Sequence, residues 1–211
     1  MRLKLVVFLV SLFAMASLLR AQNRLELAAE ANSPISARDF SNANFTGDFT
    51  KSGGFLVSGR LFFFEKTGLE LGYGFSRNGL KLRDLVSGAT FSLPSDEHSF
   101  DVNLVHRFAT GRIRPWLMTG SGVISYRPRD AAQANLARAG FLPISNVSRP
   151  KWNFGAGLDV TVLGPLDARI ALRNYLTLAP NFSTTSLTGT FQAPGSVVIF
   201  VQPSIGVLLS F

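Results

Sequence analysis

From about residue 22 onward, side chains in this sequence change character at every second position, and charged residues keep to one of the two faces. Leu69, Leu71, Tyr73 and Phe75 share one side, while Glu70, Gly72, Gly74 and Ser76 share the other. Phe100, Val102 and Leu104 oppose Asp101, Asn103 and Arg107. Phe154, Ala156, Leu158, Val160 and Val162 oppose Asn153, Gly155, Gly157, Asp159 and Thr161, and Ala168, Ile170, Leu172 and Leu176 oppose Asp167, Arg169, Arg173 and Tyr175. A period of two is the signature of strands, so each strand has one apolar and one polar wall. With 46% hydrophobic residues and a mean hydropathy of +0.23, the chain is apolar overall. Yet no run after residue 21 approaches the ~20 residues of a membrane-spanning helix. That combination leaves a well-packed β-protein or a transmembrane barrel.

The connections separate the two. Alternating segments lie near 24–31, 54–64, 69–77, 98–109, 113–126, 152–163, 166–177 and 197–211. Three connections are short and carry turn residues: Glu65-Lys66-Thr67-Gly68, Thr110-Gly111-Arg112 and Leu163-Gly164-Pro165. Four are long and polar, about 32–53, 78–97, 127–151 and 178–196, and long alternates strictly with short. Several long unstructured loops count against a soluble compact domain, whereas an outer-membrane barrel has short periplasmic turns and long external loops. The predicted fold class is all-β: an eight-stranded antiparallel up-and-down transmembrane β-barrel over residues 22–211, with both termini on the periplasmic side.

An eight-stranded barrel has an interior just wide enough for side chains to fill. The inward set predicts a polar network of Arg60, Glu70, Asp101, Arg107, Asp159, Asp167, Arg169 and Arg173, joined by Glu26 and Glu30. A turn centred near Gly164-Pro165 sets Asp159 nearly opposite Arg169 on the adjacent strand. Glycines 72, 74, 155, 157 and 206 leave room for long arginines. The network reads as a structural plug, with a narrow conduction path as the alternative. Segment 113–126 does not declare its parity; Arg112 and Arg114 suggest that even positions point inward, which would bury Trp116. Phe62, Phe63, Phe64, Tyr126, Trp152, Tyr175 and Phe211 stand near strand ends and read as interfacial girdles or as ordinary lipid-facing bulk.

The N-terminus carries a basic pair, Arg2 and Lys4, then an apolar stretch from Leu5 to Leu19 and the small residue Ala21. This is the pattern of a secretory signal peptide over residues 1–21, with cleavage after Ala21 and Ala14-Met15-Ala16 as the weaker alternative. The absence of cysteine fits export without disulfide staples and excludes thiolate metal sites. The whole chain has a net charge of +8; without residues 1–21 it holds 18 basic and 13 acidic residues, or +5. In an exported chain that balance points to anionic lipid headgroups rather than nucleic acid. Arg127, Arg129, Arg138, Arg149 and Lys151 crowd the third long connection with Asp130 as the one acid. They form a rim suited to lipopolysaccharide phosphates or another anionic surface; a plain solvated loop is the alternative. Residues 130–140, rich in alanine, suit a short helix within it.

A catalytic site is hard to assemble. His98 has Ser99 and acidic residues as neighbours, but adjacent strand residues point to opposite faces. Ser95 and Glu97 fall in the predicted loop, and His106 has the parity of the apolar face. No phosphate loop, metal-ligand spacing or paired catalytic carboxylates are present, so no cofactor is expected.

The C-terminal stretch places Ser204, Gly206, Leu209 and a final Phe211 in a pattern that resembles the assembly signal of bacterial outer-membrane proteins. Together with the leader, Arg114-Pro115-Trp116 ahead of Gly120 and Gly122, the run Asn153 to Val160, and Arg169 to Tyr175, the chain resembles the small eight-stranded outer-membrane barrels of the outer-membrane protein A-like and X-like type over residues 22–211. That resemblance implies outer-membrane location, insertion by the barrel assembly machinery, and lipids and lipopolysaccharide as neighbours. A periplasmic peptidoglycan-binding domain after the barrel is not expected, so cell-wall tethering is not implied, and the triad of lipid-modifying relatives has no match. The expected role is that of a monomeric, non-enzymatic barrel serving envelope integrity or surface interaction. A narrow pore and a lipid-modifying enzyme stand as the alternatives.

Overall fold

The computed structural model describes residues 24–36, 40–41, 45–50, 53–84, 88, 90–138, 144–180, 184–186, 189–191 and 197–211, so the leader at 1–21 lies outside the described residues. Eight strands make the barrel: β1 (Arg24–Asn32), β2 (Gly54–Phe62), β3 (Thr67–Asp84), β4 (Thr90–Arg107), β5 (Ile113–Pro128), β6 (Val147–Leu163), β7 (Leu166–Leu178) and β8 (Val197–Ser210). Each pairs antiparallel with its neighbours in sequence. β1 and β8 pair from Glu26↔Ser210 to Asn32↔Ser204, which closes the ring and removes both sheet edges. Residues 63–66, 108–112 and 164–165 form the short turns, all at the end that also holds Arg24 and Phe211. Gly164 takes a positive φ of 54°, which its lack of a Cβ permits.

The strands run further than the alternation of apolar residues suggested. β3 and β4 are 18 residues each, and the connection between them shrinks from the expected 78–97 to residues 85–89. Ser95 and Glu97 therefore belong to a strand and not to a loop. The reason is a change in outward chemistry. Pairing continues from Arg77↔Asp96 to Arg83↔Thr90, with polar and charged residues outward and Leu80 and Leu93 still buried inside. The period of two persists, but a charged outer wall resembles loop composition. β6 likewise begins at Val147, inside the segment expected to be loop.

The remaining described segments decorate the end away from the short turns. Phe45–Thr50 pairs with the far half of β3, and Ile35–Ser36 pairs with β8. Thr184–Ser186 pairs with Gly189–Phe191. A helix, α1 (Asp130–Arg138), follows β5. Its acidic first turn and basic last turn both suit the helix dipole, and Ala132 and Leu136, four apart, are buried on one face. The Gln133 amide donates to the Ile144 carbonyl at 2.7 Å and accepts from the Ile144 N–H at 3.0 Å, while Asn135 donates to the Ser92 carbonyl at 3.0 Å. The last of these bonds holds α1 against β4, and the first two tie it to the segment that leads into β6.

The outer wall is apolar over a continuous band. Leu27, Val57, Leu71, Val102, Leu117, Phe154, Ile170, Leu172, Ile205 and Val207 are all large and exposed. A band of this extent marks a surface made to be covered by something other than water.

Because β1 and β8 are partners, cysteines at Ala29 and Val207 stand directly opposite on the outside. The double variant Ala29→Cys/Val207→Cys is expected to form an intramolecular disulfide on mild oxidation, seen as a shift on non-reducing electrophoresis. Leu25→Cys/Val207→Cys, four residues or about 13 Å out of register, is expected not to. Equal crosslinking of both pairs would mean that the ring does not close in this register.

Candidate functional site

Inside the ring, strand parity brings the charged residues of six strands into one cluster. Arg60, Arg107, Arg169 and Arg173 meet Glu26, Glu30, Glu70 and Asp159, and all eight are buried. Asp159 accepts from Arg169 Nε at 2.7 Å and Nη2 at 3.0 Å, from Arg60 Nη1 at 3.3 Å, from Arg107 Nη2 at 3.4 Å and from Trp116 Nε1 at 3.0 Å. Asp159↔Arg169 is also a register pair of β6 and β7. Glu70 accepts from Arg60 Nε at 2.7 Å, Arg173 Nη1 at 2.7 Å and Asn103 Nδ2 at 3.2 Å. Arg173 Nη2 and Ser204 Oγ donate to Glu30 at 2.9 and 2.6 Å, and Arg107 is joined to Glu26.

Four guanidiniums balance four carboxylates in this cluster, so the network is neutral as a whole. Neutrality matters because an isolated buried ion costs several kcal/mol, which pairing and extra hydrogen bonds must offset. The arginines also stack on aromatic rings. Arg60 lies 4.1 Å from the Trp116 ring centre, and Arg107 lies 4.1 Å from that of Phe62. Gly157 makes this possible, since a Cβ there would come within 2.2 Å of the Trp116 ring.

The network extends toward both ends. Asn153 donates to Asp101 at 3.0 Å and to Asn103 at 3.1 Å, linking Glu70 to a second pair formed by Lys151 Nζ and Asp101 at 2.8 Å. Near the short turns, Arg114 and Asp167 form a third pair, and the Ser210 hydroxyl donates to Asp167 at 3.0 Å. Beyond Lys151 lies Glu97, which accepts from Ser76 and Asn78 at 2.9 Å each. From that level outward the interior turns apolar: Phe49, Leu80, Leu93, Ile124, Tyr175 and Phe200 pack with the buried face of α1. Tyr175 stacks on Phe200 with ring centres 4.8 Å apart.

Every residue of the sequence-read interior set thus points inward: Arg60, Glu70, Asp101, Arg107, Asp159, Asp167, Arg169 and Arg173. Other expectations need correction. Lys151 is no rim residue; it faces inward on β6, buried over the Tyr175 ring at 4.8 Å. Arg149 sits on the same inward parity and is half-buried, while Arg127, Arg129 and Arg138 are exposed. Phe62, Tyr126 and Tyr175 are interior residues and belong to no girdle, because their even or odd position puts them on the inner wall. Of the C-terminal set, Ser204 and Gly206 face inward, and Leu209 and Phe211 lie exposed outside. Sequence reading gave Asn103, Asn153 and Trp116 no part in the network; their inward parity was the available signal.

The histidine neighbourhood does not converge. His98 is on the outer wall, its Nδ1 2.8 Å from the Tyr73 hydroxyl, whereas Ser95, Glu97 and Ser99 face the interior. His106 is also outside, 2.9 Å from the Thr67 hydroxyl. Among the described residues no group of three or more acidic or histidine side chains is arranged to hold a metal ion.

Removing the carboxylate of Asp159 takes a shared anion from three guanidiniums: Arg60 and Arg107 keep Glu70 and Glu26, while Arg169 is left with Glu30 at 3.4 Å as its nearest carboxylate. Asp159→Asn is expected to lower folding stability by about 3–5 kcal/mol, read from the urea midpoint of barrel refolded in lipid vesicles. Gly157→Val is expected to be destabilising through displacement of Trp116, and Gly111→Val, at a site with open space around it, is expected to be neutral in the same assay.

No protein-family model matches the sequence, and no curated protein matches it. Solved structures do. The outer membrane protein OprG from Pseudomonas aeruginosa aligns with a TM-score of 0.64 at 10% identity, covering 90% of this chain and 96% of that one. Neisserial surface protein A aligns with a TM-score of 0.55 at 12% identity, covering 90% and 98%. At such identities the likeness is one of fold: this chain has the closed antiparallel eight-stranded architecture of small outer-membrane barrels.

Proposed function

We propose that this protein is a non-catalytic integral outer-membrane barrel that acts as a closed scaffold, exposing its long-connection end to the exterior in the service of envelope integrity or surface contact. The observation that carries this reading is the filled interior. A neutral ion-pair network occupies the half near the short turns, and an apolar cluster with α1 closes the other half. Two cavities between these layers measure about 20 and 10 Å³, room for roughly one water each. Support for the membrane setting comes from the continuous apolar outer band, the secretory pattern of residues 1–21 and the shared fold of OprG and Neisserial surface protein A. Support for a non-catalytic role comes from the division of His98 and Ser99 between opposite walls.

Two measurements test the reading. Folded protein in planar lipid bilayers is expected to give no discrete conductance steps; steps that change in Arg169→Ala or Arg173→Ala would establish a narrow pore instead. Leu172→Arg, in the middle of the outer face of β7, is expected to cost about 2–4 kcal/mol of folding stability in vesicles if it meets hydrocarbon. An unaltered midpoint would place that wall in water. Altered outer-leaflet lipid on overexpression, reversed by His98→Ala, would favour the lipid-modifying alternative.

A further inference from the structure

Basic residues gather on one sector of the outer wall, at one register level. Register aligns Arg77 on β3 with Asp96 on β4 and Asp96 with Arg127 on β5, all pointing outward. Arg129, just past β5, donates its backbone N–H to the Pro94 carbonyl at 3.0 Å, and its Nε reaches Asp96 at 3.9 Å. Arg77 Nε reaches the same carboxylate at 4.0 Å. Both contacts are at the limit of an ion pair, and the two arginine side chains are 69% and 48% exposed. Asp96 thus gathers cations without satisfying them, leaving guanidinium donors facing outward. Lys81 and Arg83 continue the stripe along the outer face of β3, with Asp48 opposite Lys81.

The height of this patch is what gives it meaning. Two residues down each strand, about 7 Å, the outward residues are Phe75, His98 and Ser125, and two further down they are Tyr73, Phe100 and Val123. Tyr73 packs on Phe100 at 5.1 Å and hydrogen-bonds His98, the pairing of ring and polar tip found at a membrane interface. Below that rim the wall is apolar. Among the described residues of β6, β7 and β8, the outward ones toward the same end are uncharged: Ser148 and Pro150 on β6, Leu176 and Leu178 on β7, Val197 and Ile199 on β8. Among the described residues this outward charge is therefore gathered over β3, β4 and β5, just above the aromatic rim.

We propose that this sector, Arg77, Arg127 and Arg129 around Asp96, binds the phosphate of a phosphorylated glycolipid in the outer leaflet, whose acyl chains lie on the apolar wall below. Guanidiniums bond phosphate oxygens in bidentate fashion, and neighbouring strands about 4.8 Å apart space Arg77 and Arg127 roughly 10 Å from each other, enough to flank one headgroup. A lipid satisfies both the charged level and the apolar level at once; a free phosphate satisfies only the first. The proposal rests on the outer-membrane reading above and specifies the partner of that surface.

The test uses the full barrel refolded into phosphatidylcholine vesicles with and without lipid A, the diphosphorylated glucosamine lipid. The folded barrel is expected to retain lipid A through detergent extraction, and Arg77→Ala/Arg127→Ala/Arg129→Ala is expected to lose at least tenfold in retained lipid. Arg112→Ala, a cation at the opposite end, is expected to retain it in full. Folding of each variant is read separately, from faster migration of unboiled than boiled protein. Equal retention by the triple variant overturns the proposal, as does equal retention of dephosphorylated lipid A. Displacement of lipid A by millimolar inorganic phosphate also overturns it, in favour of a free-anion site. If no variant, nor the parent, inserts into vesicles, the membrane reading itself fails; insertion without lipid retention removes this site alone.

Discussion

Asp159 is the point where the fold's demands meet. Closing eight strands into a ring satisfies every backbone donor and acceptor along the sheet edges, but it creates an interior that must be filled at close packing. This chain fills it with arginines, whose long stems span the ring and whose charges then need partners. Asp159 receives three of them, Arg60, Arg107 and Arg169, together with the Trp116 indole N–H. Glu70 does the same for Arg60 and Arg173 from the opposite wall. Asp159 and Glu70 are each shared between arginines of different strands, and Glu26 and Glu30 bring in β1, so the network ties β1, β2, β3, β4, β6 and β7 across the lumen. Backbone pairing connects only neighbours; the ion pairs connect strands that never touch.

The interior changes its chemistry along the axis, and this division explains the length of the strands. Where the outer wall is apolar, the inner wall is charged. Where β3 and β4 rise past the aromatic rim and their outer wall turns polar, the inner wall becomes apolar: Leu80, Leu93, Ile124 and Phe200. The upper barrel is thus built like an ordinary soluble β-structure with its core inside, capped by α1, and the lower barrel is inverted. Glu97, held by Ser76 and Asn78, marks the level at which one regime gives way to the other.

The same inversion accounts for what sequence reading found and what it lost. Strand parity was legible wherever apolar and charged residues alternate, as in Leu69 to Ser76 and Asp167 to Leu176, because successive strand residues point to opposite walls. It identified the fold class and the inward residues of those strands. It failed where both walls change together. Residues 78–97 have charge on the outside and so read as loop, although Arg77↔Asp96 through Arg83↔Thr90 pair as regularly as the strands below. Lys151 was misassigned for the same reason: amid Arg127, Arg129 and Arg149 it looked like one more rim cation, and only the early start of β6 at Val147 turns it inward toward Asp101.

The period of two and the alternation of short and long connections are local properties, written in neighbouring residues, so the sequence by itself determined the strand number, the antiparallel order and the parity of most strands. Which charge meets which is a different matter. Arg60 reaching Asp159 across 99 positions, or Arg173 reaching Glu30 across 143, depends on the diameter and stagger of the closed ring. So does the gathering of Arg77, Asp96 and Arg129 on one sector of the outer wall. Those partnerships were decided only by tertiary structure, because distance across a lumen and height along a tilted wall follow from closure, which no stretch of sequence encodes alone.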